Sequence, residues 1–290
     1  YNLLSKAANF QSARNVKMFC GEFGVYIPNS PDSDRVYWYE VVRKYLEQYN
    51  ISWTIWDYQG GFGLFEKYSN ELFDHDLNVP LLTALGFNVP SQSDYVQKPD
   101  TSQFYFYSDF IGENINNASY SNGTLDFYST ENPTNERYCV YWNGEQSYGA
   151  ISFDFLPNKD LSVLKNEGYV FDCMIKCSIP FTSFDVRFVD TKTSTSDHPW
   201  RIGYKINKSK ITFTNEWQNL RIPLKDFYEF GSWDNNTWYN PAGLFDWTDI
   251  ERFEIVAEDS SLAYSKLWFD EIKIFNPNIS DIADNGTLPT

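Results

Sequence analysis

Between residues 103 and 277 the chain falls into short runs in which apolar and polar residues alternate: FYFYSDF, GTLDFYST, RYCVYW, GAISFDFL, YVFDCMIKCSI, SFDVRFVD, WRIGYKI, WQNLRIPL, RFEIVAE and KLWFDEIKIF. A period of two sends one side of each run into a core and the other toward water. Gly, Asn, Pro or Asp punctuate most of the gaps, the residues that tight turns require. Many short strands at this spacing specify an antiparallel β-sandwich, and their number suits a jelly roll. Residues 278–290 follow as a tail.

The chain ahead of the sandwich has a different grammar. In VKMFCGEFGVY, Val16–Tyr26, one carboxylate, Glu22, stands between Gly21 and Gly24. The apolar residues around it, Val16, Met18, Phe19, Cys20, Phe23 and Val25, predict a strand buried on both faces. A lone acid at the end of such a strand is costly unless paired or used. The two glycines let the chain turn and leave room for a close approach. A second strand is expected at ISWTIW, ending in Trp56 before the glycine-rich DYQGGFGLF. Between the strands a helix is capped by Ser33 or Asp34, with Trp38, Val41, Val42, Tyr45, Leu46 and Tyr49 as its apolar face.

Residues 1–15 predict another helix, and Asn78–Leu85 a closing one, with Pro80 in its first turn and Gly86 stopping it. Polar groups gathered at the ends of strands in a β–loop–α–β order belong to a (β/α) barrel. The fold class expected is therefore α/β plus all-β: strands and helices of a (β/α) barrel over 1–87, a linker at 88–102, and a sandwich over 103–277. Two parallel strands without neighbours leave their edges unpaired, so residues 1–87 are expected to be marginal by themselves.

Composition narrows the partners. Aromatic residues make up 19% of the chain, which suits sugar-stacking surfaces or a ring-rich β core. A net charge of −16 argues against nucleic acid and against anionic membrane surfaces, whereas neutral polysaccharide remains compatible. No apolar run approaches a membrane span of about 20 residues, and no signal peptide opens the chain. Cys20, Cys139, Cys173 and Cys177 form no metal-ligand spacing with the two histidines, His75 and His198. On one strand Cys173 and Cys177 would lie about 13 Å apart, too far for a disulfide, so free thiols are expected.

CGEFGVY, the amphipathic helix and ISWTIWDYQGGFGLF together resemble the last quarter of the family-5 glycoside hydrolases, enzymes on a TIM barrel. The resemblance covers 1–87 and implies that the barrel elements there are the last strands and helices of a TIM barrel, with Glu22 the nucleophile of a retaining mechanism and Trp56 the floor of the adjoining sugar subsite. The acid/base that the family carries in an Asn-Glu-Pro motif has no counterpart: Asn70-Glu71 precedes Leu72, Asn135-Glu136 precedes Arg137, and Asn215-Glu216 precedes Trp217. The expectation is the C-terminal portion of a longer endo-β-1,4-glycanase acting on plant polysaccharide, secreted or at the cell surface, with this chain inactive alone. The alternative is a non-catalytic carbohydrate-binding protein.

EWQNLRIPLKDF, GLFDWTDIERFEIVAE and LWFDEIKIF are similar to the second half of galactose-binding-like jelly-roll carbohydrate-binding modules. That resemblance implies a structural calcium at Asp270, for which Asp109 is offered as a partner; catalysis implies no cofactor. Trp200, Trp233 and Trp238 lie in the polar stretches DHPWR, FGSWDN and NTWYN, as glycan contacts or as ordinary packing, with Arg201 as a donor to sugar hydroxyls. Trp217, Trp247 and Trp268 fall within strand patterns and are expected in the core. The partner expected is β-glucan or a related wall polysaccharide, bound by a monomer.

Overall fold

A computed structural model describes residues 2–279 apart from 68, 132, 135, 136, 182, 213 and 260, so most of the expected tail at 278–290 lies outside the described residues. The chain divides into two compact units between Val96 and Gln97. In the first, α1 (Asn2–Arg14) precedes β1 (Phe19–Cys20), α2 (Asp32–Gln48), β2 (Ser52–Trp53) and α3 (Val79–Ala84). The two strands run parallel, with Phe19 opposite Ser52 and Cys20 opposite Trp53. Two further bonds extend the pairing, Thr54 N–H to the Cys20 carbonyl (3.0 Å) and Trp56 N–H to the Phe23 carbonyl (2.9 Å). Tyr39, Leu81 and Leu85 form a small core that Phe23, Val25, Trp53 and Ile55 cover.

The expected long strand, buried on both faces, is corrected to a two-residue one with Val16 43% and Phe19 61% exposed. Among the described residues β1 pairs with β2 alone, so apolar side chains on its other side have nothing to pack against. The helix reading shifts as well. Pro31 occupies the cap position of α2 without a side-chain hydrogen bond, and Asp32 and Asp34 sit in the first turn, where the helix dipole favours acids. Its buried residues are Arg35, Tyr39 and Leu46, whereas Trp38 and Tyr49 are exposed. Arg35 turns that face inward by donating to the carbonyls of Val25, Phe62 and Gly63. α3 agrees with its sequence pattern, its Asn78 cap accepting from Leu81 N–H.

Residues 88–102, expected as a linker, are pinned in two parts. Gln92 accepts from Leu77 N–H and Ser93 N–H donates to the Asp74 carbonyl in the first unit. Gln97 donates to the carbonyls of Asn158 and Thr248, and Asp100 pairs with Lys159 at 3.0 Å, in the second.

The second unit comprises β3 (Phe104–Ser108), β4 (Phe110–Ile111), β5 (Ile115–Asn117), β6 (Thr124–Ser129), β7 (Cys139–Asn143), β8 (Ala150–Lys159), β9 (Val170–Ile179), β10 (Ser183–Asp190), β11 (Arg201–Asn207), β12 (Gln218–Pro223), β13 (Tyr228–Asp234), β14 (Thr237–Tyr239), β15 (Ile250–Val256) and β16 (Lys266–Phe275). One sheet has the order β14-β13-β11-β10-β15-β8-β5. The other has β12-β9-β16-β3-β4, with β7 also on β16 and β6 on β7. Each of the ten alternating runs becomes a strand; β4, β5, β13 and β14 are additional.

The inward residues of both sheets meet in a ring-rich core. Phe106 stacks on Phe253 at 4.3 Å, and Phe153, Phe171 and Phe188 surround them. Such pairs each add about 0.5–1.5 kcal/mol beyond the apolar area they bury. Cys139, Cys173 and Cys177 are buried in the sandwich, and all four cysteines are free. Trp268, expected in this core, is corrected to the outer side of its sheet. Leu267 and Phe269 point inward, while Trp268 packs between Tyr141 and Lys176 and is still only 5% exposed.

Candidate functional site

The outward face of the first sheet is the part of the molecule that packing does not explain. Phe184, Val186 and Phe188 of β10 point inward, which sends Asp185 and Arg187 outward. Across the sheet the register makes three rows: Lys205, Asp185, Val256 and Ala150; Gly203, Arg187, Glu254 and Ser152; Arg201, Val189, Arg252 and Asp154. Asp185 is 4% exposed and Arg187 and Glu254 are 8% exposed, an unusual depth for charges.

The charges of the middle row are satisfied. Arg187 donates through Nε to Glu254 at 2.7 Å and through Nη1 to Glu258 at 2.6 Å. Burial alone would lower the Arg187 pKa, but the two glutamates outweigh it and the net shift is upward. Burial likewise pushes Glu254 up, and Arg187 more than reverses this, leaving it below the usual carboxylate range.

The Ser152 hydroxyl of that row and the two flanking rows are not satisfied. Ser152 Oγ, Asp154 Oδ1, Asp185 Oδ1, Arg201 Nε and Arg252 Nε are buried without a hydrogen bond, five of the nine such side-chain atoms among the described residues. Asp185 lies 3.3 Å from Lys205 Nζ, and Asp154 lies 3.4 Å from Arg252 Nε, ion pairs without hydrogen-bond alignment. Burial raises the pKa of both carboxyls, and the basic neighbours only partly offset it. Arg201 forms no ion pair with a described residue. Burial, then repulsion from Arg187, lowers its pKa to about 10. A buried polar atom without a hydrogen bond costs about 1–3 kcal/mol, so five on one face set it apart from the rest of the sandwich.

Beside this array stands a hairpin that the sequence reading placed in polar loops. Asp234 pairs with Thr237, so Asn235 and Asn236 form a two-residue turn, and their φ of +48° and +60° are those of type I′. Trp233 lies directly opposite Trp238, and both indoles are about half exposed. Gly231, opposite Arg201, adopts φ +105°, and a Cβ there would strike the Trp238 ring. The indole pair therefore shares the outward face with Arg201. Three residues singled out in the sequence, Arg201, Trp233 and Trp238, are brought together.

Trp200 is not among them. Of the two readings given for it, glycan contact is corrected to ordinary packing: Trp200 is buried, 5% exposed, because β11 begins at Arg201 and alternation turns its predecessor away from the face. Its backbone N–H donates to Asp190 at 2.6 Å. Sequence reasoning missed Ser152, Asp154, Asp185, Arg187, Arg252 and Glu254. The available signal was two charges two residues apart in otherwise apolar strands, FDVRF and RFE.

Asp270 and Asp109, expected as calcium ligands, act as backbone clamps. Asp270 accepts from Thr134 N–H, from its hydroxyl and from Glu271 N–H. Asp109 accepts from Arg137 N–H and Tyr138 N–H. Among the described residues no three His, Cys, Asp or Glu side chains group closely enough to hold a metal ion.

In the first unit, Glu22 and Trp56 lie at the same end of the parallel pair, Trp56 N–H bonding the carbonyl of Phe23. Trp56 is 52% exposed. The Glu22 carboxylate is exposed and has no hydrogen-bond partner among the described residues. Gly24 makes room for the chain itself, since a Cβ there would overlap the Trp56 carbonyl. The Trp56–Asp57 peptide is cis.

An antiparallel sandwich that sets an exposed indole pair beside an unpaired polar array has the construction of a carbohydrate-binding module. Residues 102–276 match the family described as carbohydrate binding domain 30, more than half of the chain, and the chain belongs to that family. Among solved structures, a family 30 carbohydrate-binding module is 17% identical over 61% of this chain and 99% of that one, with a TM-score of 0.43. A family 11 module from Clostridium thermocellum, in complex with a β-1,3-1,4-mixed-linked tetrasaccharide, is 16% identical over 61% of this chain and 98% of that one, with a TM-score of 0.41. A hyperthermophilic endo-β-1,4-glucanase in complex with substrate is 28% identical over 30% of this chain and 26% of that one, with a TM-score of 0.26. The chain spans about a quarter of that enzyme's length. No curated protein matches the chain significantly. No described helix is long and apolar enough to cross a membrane.

Proposed function

We propose that the sandwich holds a neutral β-glucan chain along the outward face of its first sheet. Trp233 and Trp238 stack on the apolar C–H faces of pyranose rings. Arg201 donates to ring hydroxyls, and Asp185, Asp154 and Ser152 accept from them. One observation carries this reading: an exposed indole pair and five unpartnered polar atoms occupy the same face. A neutral chain suits the face, because Arg187, Glu254 and Glu258 are already paired with one another. Affinity electrophoresis against soluble β-glucans tests it. Retardation that Trp233→Ala removes is expected; unretarded migration, or retardation that the substitution leaves intact, would contradict it.

The reading of residues 1–87 is the closing part of a family-5 hydrolase barrel within a longer, extracellular endo-β-1,4-glucanase. Glu22 serves there as nucleophile and Trp56 as sugar platform. The parallel β–α–β order and the half-exposed indole at the same strand end as a free carboxylate support it. Retaining hydrolysis needs a second carboxyl about 5–5.5 Å away, and the family's Asn-Glu-Pro motif is absent from these 290 residues. The chain itself therefore releases no sugar. Reducing-sugar release from soluble β-glucan that Glu22→Gln abolishes would overturn this.

A further inference from the structure

We infer that His198 is a positioning residue for the tryptophan pair, joining both strands of the hairpin that carries it to the loop between β10 and β11; this rests on the reading that the pair stacks on glycan.

The hairpin is weakly held by its own ladder. β14 is the outermost strand, and β13 pairs with β11 at only three positions, with a register shift between Arg201 and Ile202. An edge hairpin so attached does not fix the height of its side chains above the sheet. Alternation turns Trp233 and Trp238 to the outward face and Ser232, Asp234 and Tyr239 to the other.

That other side rests on residues 192–199. Asp234 Oδ2 accepts from Lys192 Nζ at 2.5 Å and from His198 Nδ1 at 2.9 Å. The His198 ring lies nearly parallel to Tyr239, with centroids 3.6 Å apart, and Trp200 meets it edge-on at 5.6 Å. Ser232 Oγ donates to the Pro199 carbonyl at 2.7 Å. The loop is tied to itself, since Asp197 accepts from both the N–H and the hydroxyl of Thr193.

Lys192 and Pro199 each hold β13 alone. His198 holds β13 through its nitrogen and β14 through its ring face, so it fixes one indole relative to the other. Trp200, buried beneath it, completes a column of Tyr239, His198 and Trp200 that supports the platform from behind. The imidazole is 18% exposed at its side chain and lies on the face opposite the proposed ligand, so its effect on binding passes through the hairpin.

The test compares the full chain with His198→Ala, His198→Phe, Asp234→Asn and Trp233→Ala. Affinity for a soluble mixed-linkage β-glucan is read beside near-ultraviolet circular dichroism of the indoles and thermal melting. His198→Ala is expected to weaken affinity about tenfold and to alter the indole signal. His198→Phe, which keeps the stack, recovers part of both. If His198→Ala fails to fold, Asp234→Asn serves in its place, with the expected result a smaller loss of affinity accompanied by the same spectral change. Undiminished affinity in the folded variants would overturn the inference. Undiminished affinity in Trp233→Ala would instead overturn the binding surface on which it rests.

Discussion

The two outward faces of the sandwich use the same residue types to opposite ends. On the second sheet, Asp172 accepts from Asn219 and Arg221, Lys273 pairs with Glu271, and Trp268 is covered by Tyr141 and Lys176. Only Trp268 Nε1 among its outward polar atoms is buried without a partner, among the described residues. The first sheet leaves five unpartnered and sets an open indole pair beside them. Identical alternation made both faces; what separates them is whether neighbouring side chains close the hydrogen-bond account. A sealed face stabilises the fold; on the proposed reading the unsealed one takes up glycan.

The largest test of that contrast is charge removal. Arg187→Met strands the buried Glu254 and is expected to destabilise the sandwich by about 3–5 kcal/mol in denaturant melts. Arg221→Met on the other face should cost only about 1 kcal/mol, because Arg221 is half exposed and Asp172 keeps Asn219. Equal losses would erase the distinction.

Next in size is a pH effect. Each sheet holds a carboxyl fed by backbone N–H groups, Asp190 on the first and Asp270 on the second. Burial raises both pKa values, Asp190 to about 7. A raised carboxyl binds its proton more tightly in the folded chain. Its contribution is therefore full below its ordinary pKa of 3.8 and is lost as pH rises through about 7. Thermal stability should fall across that window, and Asp190→Asn should flatten the fall. An unchanged slope in the variant would contradict the assignment.

Smaller effects concern binding alone. Trp233→Ala should lose about 2 kcal/mol of glycan affinity by calorimetry, whereas Trp268→Phe should lose none. Arg201→Gln should weaken binding by about 1 kcal/mol while leaving the melting temperature equal or higher, since it removes a buried cation that forms no ion pair with a described residue. A lower melting temperature would show that Arg201 is structural.

Ten of the fourteen strands of the sandwich were legible because alternation and turn residues are local properties of the chain. The hairpin at Tyr228–Tyr239 was not, because Gly231 interrupts its first strand and the Asn235-Asn236 turn is a weak version of the Asn-Gly signal. Trp233, Trp238 and Arg201 could be picked out singly, but their meeting on one face depends on the register between β11 and β13, which the sequence does not state. Trp200 was misread for a related reason: one step along an alternating strand turns a side chain to the opposite face. In the first unit, strand order and the placement of Glu22 and Trp56 followed from the pattern. Burial did not, since it depends on neighbours that β1 lacks among the described residues.

Titration of the ¹⁵N-labelled chain with a soluble β-glucan oligosaccharide, following indole and arginine side-chain N–H resonances, addresses both faces at once. The signals of Trp233, Trp238 and Arg201 should move together and saturably while that of Trp268 stays fixed. Movement at Trp268 with the other three unmoved, or no movement anywhere, would contradict a glycan-binding face on the first sheet.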